Sequence, residues 1–153
     1  MDKLQKRKSP RKKGYDYSLG GAYFITICTL NKKKILSKIT HEINNYEPKV
    51  ELTRIGKQIE ECLGNIKTIY DNYEVGDYII MPNHIHFIVY SYSNDNEIYS
   101  LIKKIKTYTT HLYGSKLWQR SFYDHIIRNE KDFEQISKYI HDNPARWIYD
   151  DLN

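Results

Sequence analysis

After Met81-Pro82-Asn83, polar and apolar side chains alternate through His84-Ile85-His86-Phe87 and then give way to an apolar run, Ile88-Val89. Successive side chains of a strand point to opposite faces, so His84 and His86 share one face while Ile85 and Phe87 enter the core. The same patterning places other elements along the chain. Gly20-Gly21 opens a strand over Ala22 to Leu30, rich in β-forming residues. Residues 35–50 read as a short element and a loop. From Thr53 to Tyr70, Ile55, Ile59, Leu63, Ile66 and Ile69 follow helical spacing. Tyr73 to Ile80 and His84 to Tyr92 are strands joined by the tight Met81-Pro82-Asn83 connection. A polar loop, Ser93 to Glu97, leads to a helix over Ile98 to Tyr113, and Phe122 to Ile127 forms another strand. A third helix begins at Asp132 and runs to about Asp142, where Asn143-Pro144 should stop it, because the residue before proline is pushed out of helical geometry.

The order strand, helix, strand, strand, helix, strand predicts an α+β fold: a ferredoxin-like split βαβ antiparallel sheet with helices on one face. The third helix is an addition to it, and the other sheet face is expected to be free for a ligand. With 153 residues, the chain suits one domain over 14–153 preceded by a basic flexible tail, 1–13. Its 40% hydrophobic and 28% charged residues fit a globular protein. No apolar run approaches a membrane span, and no apolar stretch follows the basic N-terminus as a signal peptide requires. Cys28 and Cys62 lack a partner motif and read as small core residues. The expected compartment is the cytoplasm, with no membrane partner.

Charge sharpens this picture. The net +5 arises in the tail, where seven basic side chains face only Asp2, and the rest of the chain is nearly balanced. Such a tail can hold a polyanion by counterion release, or merely solvate the protein. Residues 98–129 carry Lys103, Lys104, Lys106, Lys116, Arg120 and Arg128 against Asp124, interleaved with Tyr108, Tyr113, Trp118, Phe122 and Tyr123. Cations beside aromatic platforms suit single-stranded nucleic acid, whose phosphates need charge and whose unpaired bases stack.

Two imidazoles on one strand face can share a metal ion or grip a phosphate, although an isolated pair is more often structural. Tyr139 and Asn143 are four residues apart and therefore lie on one helical face. A tyrosine hydroxyl becomes a nucleophile beside a cation, and an asparagine carbonyl is a neutral donor to a hard ion. Against these stand a core tyrosine, one of 15, and an asparagine favoured at a helix end before proline.

Four ordered motifs narrow the choice. The runs Gly14-Tyr15-Asp16-Tyr17 with Gly21-Ala22-Tyr23-Phe24-Ile25-Thr26, Met81-Pro82-Asn83-His84-Ile85-His86, Trp118 to Glu130, and Tyr139-Ile140-His141-Asp142-Asn143-Pro144-Ala145-Arg146-Trp147 resemble the IS200-like transposase family. The similarity spans roughly residues 14–147 and is nearest to the branch of REP-associated tyrosine transposases. It implies a metal-dependent endonuclease and strand transferase acting on single-stranded DNA with hairpin structure. In that family pattern His84 and His86 are the metal-binding pair, Asn143 the third ligand to Mg²⁺ or Mn²⁺, and Tyr139 the nucleophile that forms a 5′-phosphotyrosine. Lys103, Lys106, Arg120 and Arg128 are expected at the DNA backbone, and His125 is either a DNA contact or structural.

Two other classes compete. Histidine-triad nucleotide hydrolases also alternate histidines on a strand, but they need another at the position held here by Ile88. A non-catalytic ferredoxin-like nucleic-acid-binding module, or a domesticated binder of repeat hairpins, fits the composition equally well. Family relatives occur both as homodimers that exchange the tyrosine helix and as monomers, and the sequence is compatible with either.

Overall fold

The computed structural model describes residues 15–41, 47–93 and 97–152. The expected basic tail and residues 42–46 and 94–96 lie outside the described residues.

Sequence periodicity becomes architecture through a sheet in the order β4-β5-β1-β6, where β1 is Ala22–Cys28, β4 Tyr73–Ile80, β5 His84–Ser91 and β6 Tyr123–Ile127. All neighbours are antiparallel. β1 runs beside β5 from Ala22–Tyr90 to Cys28–His84, and β6 lines the other side of β1 from Ala22–Ile127 to Thr26–Tyr123. β4 pairs with β5 and slips register between Val75 and Tyr78. This is the strand order of the split βαβ, ferredoxin-like arrangement. The stretch read as a short element is a hairpin pair, β2 Ser37–Thr40 and β3 Lys49–Leu52.

One sheet face buries Ile25, Ile27, Ile85, Phe87 and Val89 under α1 (Arg54–Gly64) and α3 (Ile98–Tyr113). The helical stripe Ile55, Ile59 and Leu63 faces this core, as do Ile98, Leu101, Ile102 and Ile105. A short helical turn, α2 (Ile66–Ile69), follows a break at Gly64-Asn65, two weak helix formers, so the single helix expected over 53–70 is divided. α3 ends at Gly114, whose φ of 93° suits glycine.

The expectation of a free second face is overturned. α4 (Glu130–Leu152) lies across it, packing Phe133 and Ile140 against Phe24, Ile88 and Tyr90, with Tyr17 stacked on Phe133. β5 is apolar on both faces beyond His86, and a strand of that kind needs cover on both sides. Buried Asp77 accepts a hydrogen bond from Ser137 Oγ at 2.6 Å and lies 3.6 Å from His141 Nε2. His125 Nε2 lies 2.8 Å from Asp132 Oδ2 and ties β6 to the start of α4. This contact gives His125 a structural role.

The expected stop at Asn143-Pro144 is also overturned: α4 continues through Pro144 to Leu152. Proline removes one backbone donor and crowds the preceding turn. Asn143 Nδ2 donates to the Tyr139 carbonyl at 3.0 Å, supplying a side-chain bond within that turn. Packing of the helix on the sheet outweighs the local preference against continuing.

The connection between β4 and β5 is held from outside. Thr29 N and Oγ1 donate to the Asn83 carbonyl at 2.9 and 3.1 Å, and Leu36 N donates to the Pro82 carbonyl at 2.9 Å. The Leu36 carbonyl in turn accepts from Thr53 N and Oγ1 at the start of α1. Gly56 sits so close to that carbonyl that a Cβ would collide with backbone. Gly56→Ala should therefore cost about 1–3 kcal/mol or more, seen as a lower urea midpoint at unchanged m-value.

Candidate functional site

The register of β1 on β5 places Thr26 opposite His86 and Cys28 opposite His84. Thr26 Oγ1 and His86 Nδ1 are 2.8 Å apart, and Asn83 Oδ1 and His84 Nδ1 are also 2.8 Å apart. The Asn83 amide oxygen can only accept, so His84 carries its proton on Nδ1 and presents a lone pair at Nε2. The two rings stand edge to face with centroids 4.7 Å apart.

His86 is 5% exposed, and its Nε2 is buried without a protein partner among the described residues. Burial, then the like charges of His84 and Arg146, push its pKa down to about 3. Burial also lowers the pKa of His84, with Lys32 adding to the effect, while a hydrogen bond to Asn143 opposes it. Both rings are therefore neutral at pH 7, the form that ligates metal.

α4 supplies the opposite wall. The Tyr139 ring lies 5.3 Å from His86 and 6.2 Å from Phe24, which itself stacks on His86 at 5.2 Å. The tyrosine of this chain thus stands beside the same chain's histidines. Asn143 is buried and reaches the His84 ring, with its amide nitrogen committed to the Tyr139 carbonyl. The structure brings together His84, His86, Tyr139 and Asn143, the four residues picked out in the sequence.

His84, Tyr139 and Asn143 line a pocket of about 310 Å³ together with Lys32, Arg146 and Trp147. Arg146 Cζ stands 4.6 Å from the Tyr139 ring centroid, and the Trp147 ring is 6.4 Å from His84. Cys28 lines this pocket and is half-buried, which corrects its reading as a core residue, whereas Cys62 is buried. Thr26, Asn83, Lys32 and Arg146 were not assigned roles from the sequence. Arg146 falls seven residues after Tyr139, two helical turns on, and that signal was hidden by ending the helix at Pro144.

The donor set suits a divalent ion of mixed nitrogen and oxygen preference. The two imidazoles lie 4.7 Å apart, the Asn143 side chain reaches His84, and each Nδ1 is already fixed, as metal-binding imidazoles require. No third His, Cys, Asp or Glu joins them among the described residues.

The basic residues behave differently. Lys103, Lys116 and Arg120 line a groove with Phe122 between α3 and the segment before β6. Lys106 Nζ donates to the carbonyls of Gln119 and Arg120 at 2.8 and 3.0 Å, and burial lowers its pKa. Its ammonium fastens that segment. Trp118 is buried and donates to Thr109, so it offers no stacking surface, whereas Tyr108 and Tyr123 are exposed. Arg128 follows the end of β6 that pairs with Ala22, at the opposite end of β1 from Cys28 and the histidine pair.

The family model described as "Transposase IS200 like" matches residues 21–143. A REP-associated tyrosine transposase of Escherichia coli is 27% identical over 135 residues, covering 86% of this chain and 72% of the relative. A Haemophilus influenzae protein without an assigned function is 29% identical over 97% of this chain and 94% of its own length. Among solved structures, a REP-associated tyrosine transposase bound to a REP hairpin superposes with a TM-score of 0.65 at 24% identity, covering 92% of this chain and 74% of that one. Among the described residues, no helix is long and apolar enough to cross a membrane.

The lowered histidine pKa values carry a stability consequence. A group whose folded pKa lies below its unfolded value stabilises the fold above the unfolded pKa and loses that contribution as pH falls. In chelator, unfolding free energy should decline from pH 6.5 downward, by at most about 1.4 kcal/mol per pH unit for each group. His86→Phe should flatten this slope in urea titrations between pH 7.5 and 4.5. An unchanged slope would assign the titration elsewhere.

Proposed function

The chain belongs to the IS200-like transposase family, and on that footing we propose that it is a metal-dependent single-stranded DNA endonuclease and strand transferase that works through a 5′-phosphotyrosine intermediate. The observation that carries this reading is the buried Nε2 of His86, unpartnered among the described residues, on a ring 4.7 Å from His84 and 5.3 Å from Tyr139, both of which line a pocket with Asn143. An inert structural histidine would have both nitrogens satisfied.

His84, His86 and Asn143 would hold Mg²⁺ or Mn²⁺, which when bound withdraws charge from a phosphodiester and orients it. Imidazole ligation favours Mn²⁺ over Mg²⁺. The chain's own residues do the rest. Thr26 and Asn83 fix the rotations of the two imidazoles through their Nδ1 atoms, which leaves each Nε2 for a ligand. Phe24 closes the apolar side of the site against His86 and Tyr139.

Tyr139 Oη attacks phosphorus in line with the 3′-oxygen. An O–P bond forms, the P–O3′ bond breaks, the phenol loses its proton and the departing 3′-oxygen gains one. The 5′-phosphate remains on Tyr139, and the bond energy is retained for attack by another DNA 3′-hydroxyl, which rejoins a strand without a nucleotide cofactor. Arg146 supplies positive charge where the phosphate meets the tyrosine.

Hairpin DNA is the proposed substrate class, by analogy with the hairpin-bound relative. The groove of Lys103, Lys116 and Arg120 would take its backbone, with Lys106 holding the groove's wall in shape. Arg128, at the far end of β6, would meet only a duplex long enough to extend past the sheet.

Incubation with labelled hairpin-bearing single-stranded DNA and Mn²⁺, followed by a denaturing protein gel, tests the reading. Wild type should give a covalent adduct and Tyr139→Phe none. DNA binding without any adduct would leave a binding module. Thr26→Val, which keeps the shape and removes the hydroxyl, should weaken Mn²⁺ binding about 10–100-fold in calorimetric titration.

A further inference from the structure

The loop that leaves β1 carries a backbone conformation with no role in the activity so far. Among the described residues, Asn31 and Lys32 are the non-glycine residues with positive φ, at 58° and 54°. Asparagine tolerates this region, whereas a long side chain such as lysine rarely adopts it. Such conformations persist only where surrounding structure holds them, and they gather at functional sites.

The holding structure is present. Thr29 is fully buried and donates to the carbonyls of Lys33 and Asn83 at 2.9 and 3.1 Å. Lys32 N bonds the Thr29 carbonyl at 3.0 Å, and Leu30 N bonds the Leu117 carbonyl at 2.9 Å. Asn83, which orients His84, thus also anchors this loop through its backbone.

The loop is a run of three lysines, and each has a different position. Lys34 lies 5.5 Å over the Trp147 ring, Lys33 is exposed and Lys32 lines the pocket of His84 and Tyr139. Arg146 reaches the same pocket from α4, and among the described residues no carboxylate lines it. Two cations from separate elements, with no acidic side chain between them, fit an anion of single or double charge.

We propose that Lys32 is a phosphate-binding catalytic residue, and that the reacting phosphodiester is gripped between its ammonium and the Arg146 guanidinium. This inference rests on reading the pocket as the nuclease site. The guanidinium can engage two phosphate oxygens in a plane, and the ammonium adds a compact charge from a second direction. Charge held in place by a constrained loop needs no reorganisation as negative charge builds up on the phosphate oxygens during attack.

The test compares Lys32→Met, Lys32→Arg and Lys32→Gly with Lys33→Met. Glycine suits the positive φ, so Lys32→Gly removes the charge without straining the fold. Single-turnover adduct formation at saturating DNA should fall at least about tenfold in Lys32→Met and Lys32→Gly, recover in Lys32→Arg and stay at the wild-type rate in Lys33→Met. Binding of a short oligonucleotide to the Tyr139→Phe protein gives a readout free of chemistry. Its salt-dependence slope should drop by about 0.7 when Lys32 is removed, the value for one lost phosphate contact on a single strand. Wild-type rates together with an unchanged slope would overturn the role of Lys32 while leaving the nuclease reading intact. A reduced slope in a protein that forms no adduct at all would retain the phosphate grip and overturn its catalytic part.

Discussion

β1 lies beside β5 without a bulge from Ala22–Tyr90 to Cys28–His84, and a slip of one residue there would exchange the faces of every side chain in the strand. In the observed register Ile85, Phe87 and Val89 enter one core while His84, His86, Ile88 and Tyr90 face α4. The same register sets Thr26 against His86. Burial of the two faces therefore fixes the imidazoles before any ligand arrives, and the site inherits the rigidity of the sheet.

α4 completes the site from a different direction. Phe133 and Ile140 secure it to the sheet through apolar contact, and Asp77 fastens it through Ser137. Tyr139 and Asn143 sit beside this anchored stripe. The histidines belong to a strand and their partners to a helix, so the pocket exists only when both layers are packed. Its stability and its geometry are consequently linked.

Much of this was readable from residues alone. Alternation about His84 and His86 gave the shared face, and the spacing of Ile55, Ile59 and Leu63 gave the helix beneath the opposite one. Tyr139 and Asn143 were placed on one side of a helix by their four-residue separation. The cover on the second face was missed because the helix was treated as an appendage, although Phe133, Ile136 and Ile140 carry an apolar stripe at spacings of three and four. The local rule for Pro144 lost to tertiary packing and took Arg146 and Trp147 out of view with it. Thr26 and Asn83 needed strand register and a turn conformation, which no one-dimensional pattern records. Lys106 shows the limit of reading charge: its ammonium holds backbone carbonyls and shapes a surface it was expected to offer.

Tyr139 and Ile140 are consecutive, yet one reaches the reactive pocket and the other the core. One residue inserted between Phe133 and Tyr139 would turn everything after it by about 100° about the helix axis. Ile140 would leave the core and Tyr139 would leave the histidines in the same event. Only a change of about seven residues returns both to their faces, and it would also carry them two turns along the axis. This segment can vary by substitution during evolution but scarcely in length, which makes the distance from Phe133 to Tyr139 a ruler for recognising relatives that keep the same site.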